Sequence, residues 1–123
     1  MVKQTSITSG QKFQSHQIVC LDCQEQRLYS EIIQIVVEKE RCWVRPLLLV
    51  TANSQRDKEL ESYFDLRQTS DLVWPLDLFR PALDTEVIPL LQQLSIFDGS
   101  PKDNHEAHRE FRQFINRVWQ AKS

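Results

Sequence analysis

Two apolar runs rich in β-branched residues, separated by a short charged segment, constrain this chain more than any other feature. The runs are Leu28–Val37 and Trp43–Val50, and the segment between them is Glu38-Lys39-Glu40-Arg41. β-branched and aromatic residues favour strands, and a short polar connection between two such runs favours antiparallel pairing. We therefore predict a β-hairpin at the centre of the fold.

The two strands of this hairpin differ in their patterns. Alternate residues of the first strand give one mainly apolar face, interrupted by Glu31, and one mixed face. The second strand is apolar almost throughout apart from Arg45 and Pro46, which is typical of a strand covered on both sides. Since Pro46 has no N–H to donate, we expect it at a bulge or with its nitrogen facing away from a partner strand.

Shorter elements flank the hairpin. Ile18–Leu21 is predicted to be the first strand of an antiparallel meander, and Leu72–Trp74 could form a fourth strand. Residues 76–80, bracketed by prolines, indicate an irregular turn or a single helical turn. A capping-box pattern that begins at Ser54 predicts a short helix near 55–64.

A further helix is predicted over about 84–96. Asp84 or Thr85 can cap its start. Pro89 interrupts the pattern, because proline inside a helix removes a hydrogen bond and clashes with the preceding turn. We therefore expect this helix only if Pro89 falls within its first turn.

The end of the chain has the clearest helical signal. Ser100 can cap a helix, Pro101 suits its first position, and Gly99 ends the preceding element. Apolar residues then recur at helical spacing over about 101–121. We predict one amphipathic helix there, packed across the sheet.

Together these elements predict a single α+β domain. Its antiparallel meander has three to five strands, packed by a long C-terminal helix and one or two shorter helices. The domain is expected over 16–123. Residues 1–15 are polar, with few side chains to bury, and are expected to form a loosely ordered tail.

Composition excludes several classes of function. The 123 residues carry a net charge of −2, with acidic and basic residues mixed, so a concentrated basic field for nucleic acid is not expected. No apolar run approaches the length of a membrane span, and the N-terminus lacks the pattern of a signal peptide, which predicts a cytoplasmic protein. Only two glycines occur, so a glycine-rich nucleotide loop is not expected. No cofactor is predicted.

A zinc or thiol site is the one metal hypothesis that the sequence offers. Cys20, Cys23 and Cys42, with His16, could supply three sulfurs and one nitrogen. Against it, Cys20 and Cys23 would face opposite ways if both lie on one regular strand. Buried free cysteines that act as small apolar residues are the commoner case.

No catalytic constellation is evident, so we expect a protein that is not an enzyme. His105 and His108 are one residue short of the spacing of a zinc-peptidase motif, and an exposed helix face explains them better. Glu31 is the acid most expected to be partly buried, and a buried acid can have a chemical role. An ion pair with Arg45 on the neighbouring strand is the simpler interpretation.

The stretch favoured for function is Trp74 to Pro81. It concentrates aromatic, leucine, arginine and proline side chains, and Trp and Arg dominate binding hot spots. The predicted partner-binding residues are Trp74, Leu76, Leu78, Phe79 and Arg80. They predict an assembly or regulatory adaptor that binds another protein, or a second copy of itself, through residues 72–83 and an exposed sheet face or edge. The alternative for Trp74 and Phe79 is that they close the core.

Two segments, Arg41–Leu47 and Trp74–Asp84, carry a resemblance. Arg41-Cys42-Trp43-Val44-Arg45-Pro46-Leu47 together with the second segment looks like small uncharacterised proteins of cyanobacteria. The resemblance covers about half of the chain. It implies a cytosolic or stroma-like setting and service to photosynthetic assemblies, and it transfers no functional residue.

Overall fold

The computed structural model describes residues 13–52, 61–98 and 105–122. Within these ranges an antiparallel sheet packs against two helices, so the predicted α+β class is confirmed. The strands are β1 (Ile18–Cys23), β2 (Gln26–Val36), β3 (Arg41–Thr51), β4 (Ser62–Asp65), β5 (Leu72–Pro75) and β6 (Arg80–Pro81), and the helices are α1 (Asp84–Asp98) and α2 (His105–Lys122). The two-residue β6 brings the number of described strands to six.

The predicted hairpin is the centre of the sheet. β2 and β3 pair antiparallel along their whole length, and a 3₁₀ turn, Val37–Lys39, joins them. Glu40 closes this turn in the left-handed region, at φ 54°. β1 pairs with the other edge of β2, and β6 extends the sheet beyond β1. The far edge of β3 is shared by β4, near one end, and β5, near the other.

One face of the sheet packs against α2. Alternate strand residues such as Leu28 and Val44 point to this side, where Phe114 of α2 is fully buried. The apolar residues of α2 lie on one stripe, as the sequence predicts, and face the sheet. The buried α2 residues are Ala107, Phe111, Phe114 and Val118.

The opposite face packs against α1 over part of its area. Tyr29, Leu48 and Val50 are buried there beneath Leu90 and Leu94 of the helix. Pro89 is the sixth residue of α1 and so lies beyond the first turn, contrary to the sequence-based expectation. The position is exposed, so the carbonyl that loses its helical donor can be hydrated.

β3 is covered on both sides only at its second half. From Leu48 to Val50 every residue is buried, whereas Arg41, Trp43 and Arg45 alternate with buried neighbours and are exposed. A register shift separates the two halves, between the pairs Tyr29–Leu48 and Ser30–Pro46. This irregularity confirms the bulge predicted at the proline. The prediction that β3 is covered on both sides is wrong for the end of the strand next to the hairpin turn.

The predicted helix near 55–64 is wrong at its C-terminal end. Ser62–Asp65 forms β4, in which Phe64 pairs with Leu49 and packs against the α2 side of the core. Pairing with β3 therefore overrides the helical spacing of the aromatic residues. The capping box that begins at Ser54 lies outside the described residues.

Other predicted elements agree where the structure describes them. β5 is the predicted fourth strand, and a 3₁₀ turn at Leu76–Leu78 is the predicted single helical turn. Residues 1–12 of the predicted tail, and the predicted cap at Ser100 and Pro101, lie outside the described residues. Neither described helix is both long and apolar enough to cross a membrane.

Candidate interaction surface

The structure places most of the predicted partner-binding residues in the core. Trp74, Leu76 and Phe79 are buried on the α2 side of the sheet. The ring of Trp74 lies 6.4 Å from that of Phe79 and 5.3 Å, edge-on, from that of Trp119. Their burial agrees with the alternative interpretation that they close the core. That the segment binds a partner stays a prediction.

Leu78 and Arg80, the other two predicted residues, are half-buried. Leu78 packs against the α2 side of the core. Arg80 donates to Asp22 of β1 at 2.7 Å and to both carboxylate oxygens of Glu86 at 2.9 Å. Its guanidinium thus joins β6, β1 and α1, and its charge is already compensated by two carboxylates.

The four predicted metal ligands do not meet. Cys20 lies on the α1 side of the sheet, whereas Cys23 and Cys42 lie in the core on the α2 side. His16 is 78% exposed and binds Glu31 at 3.0 Å. In the described ranges, no three side chains from His, Cys, Asp and Glu come together in a way that could hold a metal ion.

The surroundings of the buried thiols of Cys20 and Cys42 also make these groups unreactive. Burial raises the pKa of Cys42 to about 12. It raises that of Cys20 to about 12 as well, with a further contribution from the Asp22 carboxylate. Because the thiolate is the reactive form, both groups are poor nucleophiles near neutral pH.

A cleft of about 420 Å³ lies between α1 and the sheet. Its charged groups bind one another: Arg27 donates to the Tyr29 hydroxyl at 3.1 Å and to Glu61 at 3.4 Å, and Tyr29 donates to Glu86 at 3.0 Å. The pKa of Glu86 is lowered to about 2, first by the Arg80 hydrogen bonds. These polar groups of the cleft are therefore hydrogen-bonded to one another, at the edge of the core.

The surface with the features of a binding site is the part of the α1 side of the sheet that α1 leaves uncovered. Trp43 and Val73 are direct cross-strand neighbours there, 37% and 56% exposed. Arg45 follows on the same face of β3, and Asp71 lies just before β5. We call these four residues, Trp43, Arg45, Asp71 and Val73, the hairpin face.

One carboxylate fixes the two large side chains of the hairpin face. The indole nitrogen of Trp43 donates to Asp71 Oδ2 at 2.8 Å. The guanidinium of Arg45 donates to both oxygens of Asp71, at 3.1 and 3.2 Å. The Arg45 hydrogen bonds, followed by that of Trp43, hold the pKa of Asp71 below its ordinary value. Asp71 is therefore ionised, and it holds an exposed tryptophan and an exposed arginine in one conformation.

Glu31 borders this surface from β2. It stands directly opposite Arg45 in the strand register. The side chain of Glu31 nevertheless forms its hydrogen bond with His16, and the ion pair of Arg45 is with Asp71, so the predicted ion pair between Glu31 and Arg45 was wrong. The register was predictable, but the competing carboxylate of Asp71, just before β5, was not.

Sequence reasoning did not select Trp43, although a signal for it was present. Arg41, Trp43 and Arg45 alternate along one strand, so they share a face that carries two charges. A tryptophan on a charged face is a candidate for an exposed aromatic residue. Asp71 could not be selected in the same way, because its contact depends on the pairing of β5 with β3.

Comparison with protein-family models, with curated proteins and with solved structures gave no match.

Proposed function

We propose that the chain is a non-enzymatic protein-interaction module, an assembly or regulatory adaptor, that binds its partner through the hairpin face. The observation that supports this is the pair formed by Trp43 and Arg45, which are exposed and yet held by Asp71. The predicted segment 72–83 contributes Val73 to this surface. A cytoplasmic setting and service to photosynthetic assemblies belong to the proposal as predictions.

The residue types support a protein partner. Tryptophan and arginine are enriched among the residues that contribute most to protein–protein binding. Binding costs less when such side chains are already ordered, because less conformational entropy is lost on association. The hydrogen bonds to Asp71 hold the side chains of Trp43 and Arg45 in place before the partner binds.

The charges support a partner that binds mainly by apolar contact. Arg45 is compensated by Asp71, and Arg41 and Glu31, on the same side of the sheet, carry opposite charges, so the surface presents little net charge. Trp43 and Val73 offer the apolar area at its centre. A nucleic acid would need a cluster of uncompensated cations in such a place, so we expect a protein instead.

The test compares partner capture by three forms of the full chain. Wild type, Trp43→Ala and Tyr63→Ala are purified gently from their own host and weighed by native mass spectrometry. Tyr63 is the matched control, since it is 39% exposed on β4 and lies outside the hairpin face. The proposal expects a retained partner with wild type and Tyr63→Ala and its loss with Trp43→Ala.

The outcomes separate the variants of the proposal. A retained protein of different mass identifies a hetero-partner, and a doubled mass identifies self-association through the same surface. Capture that survives Trp43→Ala, or a monomer from all three forms, would contradict the proposal.

A second variant tests the hydrogen bonds from Trp43 and Arg45 to Asp71. Asp71→Ala removes the acceptor of both Trp43 and Arg45 and leaves these two side chains in place. We expect weaker capture and a shifted indole N–H resonance of Trp43. Asp77→Ala is the control, because Asp77 is an exposed acid of the nearby 3₁₀ turn.

A further inference from the structure

A small groove lies between the turn that follows β4 and one flank of α2, next to the stripe that faces the sheet. Its volume is about 210 Å³. The polar residues 68–70 of the turn line it, and the helix contributes His108 and Arg112, which lie four residues apart and so share one side of α2. The groove is separate from the hairpin face.

Apolar side chains form the remaining walls of this groove. Phe111, buried in the core, and half-buried Ile115 lie on the same side of α2 as Arg112. The lining therefore combines polar residues with an aromatic and a branched aliphatic residue.

Among the described residues that line the groove there is one permanent charge, that of Arg112, and no carboxylate. At 100° per residue, Glu106 and Glu110 of α2 fall on roughly the opposite side of the helix. Asp71, which follows the turn, is already bound by Arg45 and Trp43. An anion would thus meet donors and no described acid in the lining.

The turn is held in place by backbone contacts. The Leu66 N–H donates to the Leu47 carbonyl at 3.0 Å, and Leu66 is fully buried. The backbone N–H and the hydroxyl of Thr69 both donate to the Leu66 carbonyl, at 2.9 and 2.7 Å. The Thr69 hydroxyl proton is therefore used within the turn. The other residues with side-chain donors that line the groove are Gln68, Ser70, His108 and Arg112.

We propose that this groove binds a phosphate-sized oxyanion, the phosphate group of a small ester or free phosphate. Arg112 supplies the charge-assisted hydrogen bonds, which are the stronger kind, and the turn supplies neutral donors from the other side. Phe111 and Ile115 favour an ester with an apolar carrier. This site goes beyond the protein-interaction function and does not depend on it.

The experiment titrates the full chain with inorganic phosphate and with phenyl phosphate at constant ionic strength. Two-dimensional ¹H–¹⁵N spectra follow the amides of residues 68–70 and of α2. Arg112→Gln is the test variant. Arg109→Gln is the matched control, because it removes the same charge from the same helix at a position that does not line the groove.

The proposal expects saturable shifts centred on residues 68–70 and around Arg112. Arg112→Gln should weaken binding by about tenfold or more, as for loss of a hydrogen bond from a charged group. Arg109→Gln should weaken it by about twofold or less, since a more distant charge is screened. Tighter binding of phenyl phosphate would identify an ester, and equal binding would identify free phosphate.

Three results would overturn the proposal. They are the absence of saturable shifts with both probes, equal weakening by the two arginine variants, and unchanged binding by Arg112→Gln. The spectra of the unliganded variants show that each is folded, so failure to bind is not confused with failure to fold.

Discussion

The Arg80 guanidinium donates one hydrogen bond to each carboxylate oxygen of Glu86, both at 2.9 Å. The Leu83 N–H donates to the same carboxylate at 2.7 Å, so Glu86 also caps the start of α1. These donors, with Arg80 the largest influence, lower the pKa of Glu86 from its ordinary 4.5 to about 2. One ion pair therefore connects the sheet edge to the first turn of the helix.

This shift predicts how stability depends on pH. An acid whose pKa is lower in the folded state stabilises the fold above its unfolded pKa, and that contribution is lost as pH falls towards the folded pKa. The window here runs from about 4.5 to about 2. Glu86 is 18% exposed, and we expect Glu86→Gln to remove about 2 kcal/mol at pH 7.

Urea denaturation at several pH values measures this. The difference in unfolding free energy between wild type and Glu86→Gln should shrink as pH falls from 5 to 2 (roughly the two pKa values). Glu106→Gln, at an exposed position in α2, is the control. A difference that stays constant with pH would show that the carboxylate charge of Glu86 does not stabilise the fold.

A pair of adjacent substitutions tests which side of β5 belongs to the core. Trp74 is 5% exposed and Val73 is 56% exposed. We expect Trp74→Ala to cost about 3–5 kcal/mol, as for other large buried aromatic residues, and Val73→Ala to change the unfolding free energy by about 0.5 kcal/mol or less. Thermal and urea unfolding of both variants provide the measurement. Similar small effects for the two would mean that Trp74 is not part of the core.

Ser30 offers a substitution that should stabilise the protein. Ser30 is fully buried on the α2 side of β2, and its hydroxyl has no hydrogen-bond partner among the residues that the structure describes. A buried polar group without a partner costs about 1–3 kcal/mol relative to a bonded one. Ser30→Ala removes this group and leaves little empty space, so we expect a gain of about 1 kcal/mol.

Chemical denaturation of Ser30→Ala tests this expectation. Ser70→Ala, at an exposed position, should be within about 0.5 kcal/mol of wild type. A loss of stability in Ser30→Ala would show that the hydroxyl has a partner, such as a bound water.

The hairpin was predictable because its signal is local. The β-branched runs Leu28–Val37 and Trp43–Val50 and the polar connection between them determine both strands and their order, and each strand in the structure begins and ends within about two residues of its run. Local patterns also separate Cys20 from Cys23, since an odd spacing on one strand places them on opposite faces.

What could not be predicted depends on contacts between distant segments. Val73 and Trp74 alternate in β5, but which of the two faces the core is decided by the position of α2. The contact of Asp71 with Trp43 and Arg45 likewise requires the β3–β5 register. Tyr63 and Phe64 fit a helical spacing and still form a strand, because an open edge of β3 was available for pairing.

The cysteines give the last prediction, which distinguishes buried thiols from a metal or redox site. The pKa of Cys20 and that of Cys42 are raised from 9.0 to about 12, mainly by burial, so at pH 8 their thiolate fraction is lower by about a thousandfold than that of an ordinary cysteine. We expect an aromatic disulfide reagent to modify these two thiols only very slowly in the native protein and rapidly in concentrated urea. Equimolar zinc should leave the melting temperature unchanged, both in wild type and in Cys23→Ser. Fast modification of the native thiols would contradict the burial of Cys20 and Cys42. A rise in melting temperature with zinc that Cys23→Ser abolishes would contradict the separation of Cys20 from Cys23 and Cys42 by the sheet.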